Sequence, residues 1–212
     1  MSSSKTTFPT STWSSGSSPA GSITCNELAG CFGRGVPAGA NQQRKDMRLF
    51  IAIQLNDEMK EALAGLQQRM RDQGVQGNFT RWENLHLTLA FIGEYPDPEE
   101  VKDVLETVRF EPFPISLDGM GSFGNLWWAG LDGSDALRSL AKGLRRALAE
   151  AGIPFDRKKF SPHITLVRKA YCRGRAIPEE VLREPPRGGM VVDHFSLMRS
   201  DRGKHGMIYT EL

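Results

Sequence analysis

The phrase His-apolar-Thr-Leu occurs twice, in "NLHLTLAFIG" at 84–93 and "SPHITLVRKA" at 161–170, with the two histidines 77 positions apart. The chain has four histidines, so half of them sit in this phrase. Both copies lie in extended apolar stretches, and side chains alternate faces along a strand. His86 and Thr88 therefore point one way while Leu85, Leu87 and Leu89 point the other. His163 and Thr165 oppose Ile164 and Leu166 in the same manner. A strand buried on both faces would not carry His and Thr at matching positions, because an unsatisfied buried polar group costs about 1–3 kcal/mol. The two polar faces are expected to line one shared cleft.

The surroundings of the phrase repeat as well. A helix capped by Asn56 or Asp57 carries Met59, Ala62, Leu63, Leu66 and Met70 at helical spacing. A second opens with Asp97 as cap, Pro98 at its first position and Glu100 three residues after the cap, then aligns Val101, Val104, Leu105 and Val108. A third, over 134–151, aligns Leu137, Leu140, Leu144 and Leu148 and is stopped by Gly152 and Pro154. The first starts about 30 residues before His86 and the third about 29 before His163. Strands are predicted at 48–55, 84–92, 113–118, 126–131, 161–167, 190–198 and 207–211. This order and its short links favour an α+β fold of two similar lobes, each presenting one copy of the phrase.

Residues 1–46 differ from the rest, with nine serines, five threonines and no hydrophobic periodicity. They are expected to be a disordered extension, and 47–212 the folded domain. The segment has neither the apolar core of a signal peptide nor the arginine content of a transit peptide. "MRLFIAIQL" at 47–55 reads as a first strand beginning with methionine, which fits an extension arising from a start codon placed too early.

No apolar run approaches the roughly 20 residues of a membrane span. Cys25, Cys31 and Cys172 are an odd number without C-x-x-C spacing, so neither a disulfide framework nor a cysteine zinc site is indicated, and a reducing cytoplasm is expected. Residues 47–156 hold 11 basic and 17 acidic side chains, whereas 157–212 hold 12 and 6. One end of the domain is thus a candidate surface for a polyanion.

An imidazole gives or takes a proton near neutral pH, and two facing each other serve as base and acid on opposite sides of one reacting atom. In-line displacement at phosphorus needs this pair, together with donors to the non-bridging oxygens. Thr88 and Thr165 supply a hydroxyl on the same face as each histidine. A zinc site joining His86 and His163 to His194 or His205 is disfavoured, since the threonines would then have no task and no cysteine or carboxylate recurs beside the phrase.

From Met47 onward the chain resembles the 2H phosphoesterase superfamily, most closely its RNA 2′,3′-cyclic phosphodiesterases, first described as 2′-5′ RNA ligases (LigT-like). "MRLFIAI", "RWENLHLTLAFIGE", "LRRALAEAGIPFD", "FSPHITLVR" and "SDRGKHGMIYTEL" carry the resemblance. It implies a bilobal fold with a pseudo-twofold axis and a metal-independent, cofactor-free site between the lobes. The implied reaction hydrolyses a 2′,3′-cyclic phosphate on RNA, such as a tRNA fragment, to a 2′-phosphate, with reversible 2′-5′ ligation. Carried over by motif, His86 is the proton donor and His163 the acceptor, with Thr88 and Thr165 beside them. Arg168 stands where the family often has a phosphate-neutralising arginine, although strand alternation turns it away from His163 and Thr165. Phe91 and Phe160 are candidates for stacking on a base, while Trp127, Trp128 and Tyr209 read as packing. A cytoplasmic monomer is expected. "TRWENLHL" is shorter than the matching stretch in many relatives, which would reshape the rim of the cleft.

Overall fold

Two antiparallel sheets divide the histidine strands between them. The computed structural model describes residues 46–132, 135–173, 176–204 and 206–212. The Ser/Thr-rich segment 1–45 and His205 lie outside the described residues, as does Ser134 ahead of the third helix. In chain order the first half contains β1 (Met47–Gln54), α1 (Asp57–Asp72), β2 (Gln76–Phe79), β3 (His86–Tyr95) and α2 (Pro98–Glu106). The second contains β4 (Phe113–Phe123), β5 (Leu126–Leu131), α3 (Asp135–Glu150), β6 (His163–Tyr171), α4 (Glu179–Leu182), β7 (Gly189–Val192), β8 (Ser196–Gly203) and β9 (Gly206–Glu211). One sheet runs β3-β1-β8-β9, and the other runs β2-β6-β5-β4-β7.

Local chemistry sets the helix starts. The Asn56 side chain accepts from the Met59 amide at 3.0 Å, and Asp97 accepts from the amides of Glu99 and Glu100 with Pro98 at the first turn. These bonds satisfy amides that have no partner within the helix. The apolar stripes then bury Met59, Leu63, Leu66 and Met70 from α1, and Leu137, Leu140, Leu144 and Leu148 from α3.

The helices exchange sides. α1 leaves β1 in the first sheet and packs against β6, β7 and α4, which belong with the second sheet. α3 leaves β5 in the second sheet, packs against α2 and β3, and also touches β4. Each lobe therefore holds one histidine strand and the helix that precedes the other histidine in sequence. Leu87, Leu89, Ile164 and Leu166, on the greasy backs of the histidine strands, are fully buried.

The predicted strand at 190–198 is two strands. β7 closes the edge of the second sheet and β8 joins the first, with the chain crossing between sheets at Asp193–Phe195. Apolar residues on both sides of Asp193 and His194 make the two strands read as one. The short β2, "QGNF", went unpredicted because it has no apolar alternation; its extended form comes from pairing with β6. Helix α4 is likewise a single unpredicted turn.

Gly130 pairs with His163 across β5 and β6. A Cβ at this position would collide with the Asp118 carbonyl of β4, where the β4–β5 register slips. Gly130→Ala is expected to cost about 1–3 kcal/mol, the usual scale of overpacking. Urea unfolding would register this as a lower midpoint at unchanged slope.

Candidate active site

Both imidazoles are held by the same device. His86 Nδ1 lies 2.7 Å from the carbonyl oxygen of Asn84, and His163 Nδ1 lies 2.7 Å from that of Ser161. A carbonyl can only accept, so Nδ1 carries the proton in each ring. In the neutral form each Nε2 therefore keeps a lone pair. Asn84 is itself fixed: it is buried in a single 3-10 turn over Trp82–Asn84, and its side chain donates to the Met207 carbonyl of β9 at 2.8 Å. The shortened "TRWENLHL" stretch is this turn.

Thr88 Oγ lies 3.1 Å from His86 Nε2. With Nδ1 protonated and the ring neutral, the hydroxyl donates and the nitrogen accepts. Aromatic rings enclose the imidazole: Phe50 at 5.0 Å, and Tyr209 edge-on at 5.2 Å. This burial pushes the His86 pKa below its ordinary 6.5, against the opposing pull of the Asn84 carbonyl. The positive charges of Arg168 and His163 press in the same direction as burial. The two histidines and Arg168 thus share one electrostatic neighbourhood, which free of anions disfavours charge on His86.

Arg168 reaches this neighbourhood because β6 is bulged. Opposite β5, Trp128 pairs with Thr165 and Trp127 with Val167, so Leu166 is an extra residue. Leu166 and Val167 are both buried, and alternation resumes one step out of phase. The expectation that Arg168 turns away from His163 and Thr165 is therefore corrected: the bulge returns it to their face. β3 carries the matching irregularity. Ala52 pairs with Thr88 and Ile51 with Ala90, leaving Leu89 as the extra residue and bringing Phe91 round likewise.

Each bulged residue's carbonyl is held by a side chain from the helix that precedes the other histidine strand. Gln67 of α1, 5% exposed, donates to Leu166 O at 2.9 Å and Thr80 O at 2.8 Å. Arg145 of α3 donates to Leu89 O at 3.3 Å and Lys158 O at 2.7 Å. The two clasps occupy corresponding positions in the repeat.

Two cavities lie near the histidines, one lined by His163 and the other by Asn84 and Tyr209, which meet His86. One of about 410 Å³ is lined by Thr88, Phe91, Phe123, Phe160 and His163 among others. The second, about 390 Å³, is more polar, with Asn78, Thr80, Arg81, Asn84, Arg168 and Tyr209 on its walls. The structure thus brings Phe91 and Phe160 to the His163 side and Arg168 to the His86 side. Thr165 is half-buried opposite Trp128. Trp127 is core, 2% exposed, as read from sequence. Tyr209 and Trp128 do more than pack the core, since Tyr209 meets His86 and Trp128 lies 6.2 Å from His163. Phe123, half-exposed and edge-on to His163 at 5.3 Å, was not foreseen; it sits at the end of a strand predicted five residues too short. His194 pairs with Asp193 and borders a different cavity, beside Phe195 and Glu211. His205 lies outside the described residues.

Two strand-borne His-x-Thr pairs, one from each lobe, form the candidate site on this α+β scaffold. The profile of the 2′-5′ RNA ligase superfamily matches residues 57–204, and the chain belongs to that family. It is similar to the RNA 2′,3′-cyclic phosphodiesterase of Thermus thermophilus, with 36% identity over 78% of this chain and 88% of the relative. The enzyme of that name from Thermotoga maritima is 32% identical over 78% of this chain and 93% of its own. Among solved structures, Escherichia coli LigT complexed with 3′-AMP superposes with a TM-score of 0.64 at 30% identity, covering 79% of this chain and 95% of LigT.

Gln67→Leu removes both hydrogen bonds from a buried position, and a stability loss of about 1–3 kcal/mol is expected in denaturant unfolding. A second expectation concerns pH. The folded state depresses the His86 pKa, so below 6.5 the unfolded chain takes up the proton first. Stability should fall as pH drops from 6.5 toward the folded-state pKa, and His86→Asn should flatten this part of the curve.

Proposed function

We propose that this chain is an RNA 2′,3′-cyclic phosphodiesterase that yields a 2′-phosphate by metal-independent acid–base catalysis. The observation that carries the reading is the matched pair of Nδ1–H···O=C bonds, which leave two Nε2 atoms for chemistry. His163 Nε2 takes a proton from water as the water oxygen attacks phosphorus. The P–O3′ bond breaks, and His86 Nε2–H gives its proton to the departing O3′. Thr88, Thr165 and Arg168 offset charge on the non-bridging oxygens. With a ribose 5′-hydroxyl in place of water, the same displacement breaks P–O3′ and leaves a 2′-5′ phosphodiester; in its reversal O3′ attacks phosphorus, O5′ departs and the two histidines exchange roles. The reading extends to a cytoplasmic monomer, with catalysis residing in residues 47–212, acting on RNA ends such as those of tRNA fragments.

The environment of His86 fits an acid that charges only when substrate arrives. Arg168 and His163 oppose its protonation in the free site. A cyclic phosphate brings one negative charge and reverses that balance. Protonation also turns the His86–Thr88 bond around: Nε2 becomes a donor, and the Thr88 hydroxyl proton is released for a phosphate oxygen.

Replacing His86 or His163 by alanine should lower turnover on an oligonucleotide with a 2′,3′-cyclic end by about a hundredfold or more. EDTA should have no effect on the wild type, and a folded protein that leaves this substrate unchanged would contradict the reading. The alkaline limb of kcat/KM, which reports the free enzyme, should lie at lower pH than that of kcat, because bound phosphate raises the His86 pKa. Coincident limbs would argue against His86 as the acid.

A further inference from the structure

The first cavity does not end at the histidines. Phe160, Arg145 and Lys159 line it and also line a neighbouring hollow of about 290 Å³, whose remaining walls are Arg138 and Lys142 of α3. The two hollows thus lie side by side, sharing these three side chains, between His163 and Thr88 at one end and α3 at the other. Four cations border the α3 end, and Lys158 adds a fifth beside the cleft. The carboxylate on this route is Asp156, which pairs with Lys158 at 3.2 Å and lies in the field of Arg145. Lys142 and Lys159 are exposed, and Phe160 is half-buried with Arg145 5.5 Å from its ring centre.

The spacing suits a phosphate backbone. Arg138, Lys142 and Arg145 recur at three to four residues, on one helix face. Their helical rise covers about 10 Å, more than a single phosphate requires. An aromatic ring at the junction with cations beyond it is the arrangement that takes single-stranded nucleic acid, with a base on the ring and the backbone along the charges.

We propose that the groove formed by Phe160, Lys159, Lys142 and Arg138 carries the single-stranded RNA segment immediately 5′ of the cyclic phosphate. This rests on the phosphodiesterase reading above and assigns the path that its RNA substrate takes away from the cleft. It also gives the excess of basic residues after Asp156 a task at residues 158 and 159, next to the cleft.

The test compares wild type with Lys142→Glu and Arg138→Glu/Lys142→Glu on two substrates: a cyclic 2′,3′-mononucleotide and a ten-nucleotide RNA ending in a 2′,3′-cyclic phosphate. The mononucleotide rate, expected to be unchanged, reports that the variants are folded. On the oligonucleotide, kcat/KM should fall by about tenfold or more in the double variant, with Lys142→Arg close to wild type. Each lost phosphate contact should reduce the slope of log(kcat/KM) against log salt by about 0.7. Equal activity of wild type and double variant on the oligonucleotide, or the same fractional loss on both substrates, would overturn the groove assignment while leaving the phosphodiesterase reading intact. Failure of wild type on both substrates would instead remove that reading.

Discussion

An imidazole presents a usable nitrogen to a cleft only if its other nitrogen is held, and here both rings are held alike. The Nδ1–H of each histidine donates to the carbonyl two residues upstream, at 2.7 Å in both cases. This fixes the tautomer and the ring orientation together. The strand start, the turn before it and the anchor of Asn84 to β9 all serve to keep that carbonyl in place. Without it, a histidine at the end of a strand has either nitrogen available and no preferred direction.

A second pair of constraints decides what else reaches the cleft. The bulges at Leu89 and Leu166 reset alternation, so Phe91 and Arg168 return to the faces of their histidines. Their effects cross between lobes: Arg168, on the His163 strand, lowers the pKa of His86, while Phe91, on the His86 strand, borders the cavity with His163. The repeat is thus symmetric in framework and asymmetric in chemistry. Gln67 and Arg145 clasp equivalent carbonyls, one as a neutral amide and one as a cation. Equivalent strand positions carry an arginine on one side and a phenylalanine on the other, and such differences give the two histidines unequal surroundings.

Much of this was legible in the sequence. The doubled phrase, strand alternation and helix caps gave the two polar faces, the three long helices and the lobed α+β arrangement. Family resemblance supplied the reaction. What escaped was set by pairing rather than pattern. A bulge leaves no mark in a run such as "HITLVRK", so Arg168 read as facing away. The swap of α1 and α3 between lobes cannot be told from spacing, because helix and strand stay the same distance apart in sequence whichever sheet the helix covers. The crossing at Asp193–Phe195 was hidden because the apolar residues flanking Asp193 and His194 read as one strand. Phe123 and Tyr209 lie far in sequence from the histidines they touch, and only the sheet order brings them there.

The central claim is that the rings of His86 and His163 both carry their proton on Nδ1 and offer Nε2 to a shared phosphate. Nitrogen-15 NMR of the imidazoles, at a pH where both rings are neutral, tests this directly, with His86→Asn and His163→Asn spectra giving the assignments. The account predicts the Nδ1–H tautomer for both, with inorganic phosphate shifting both Nε2 resonances. An Nε2–H tautomer at either histidine, or a phosphate response confined to one of them, would contradict it.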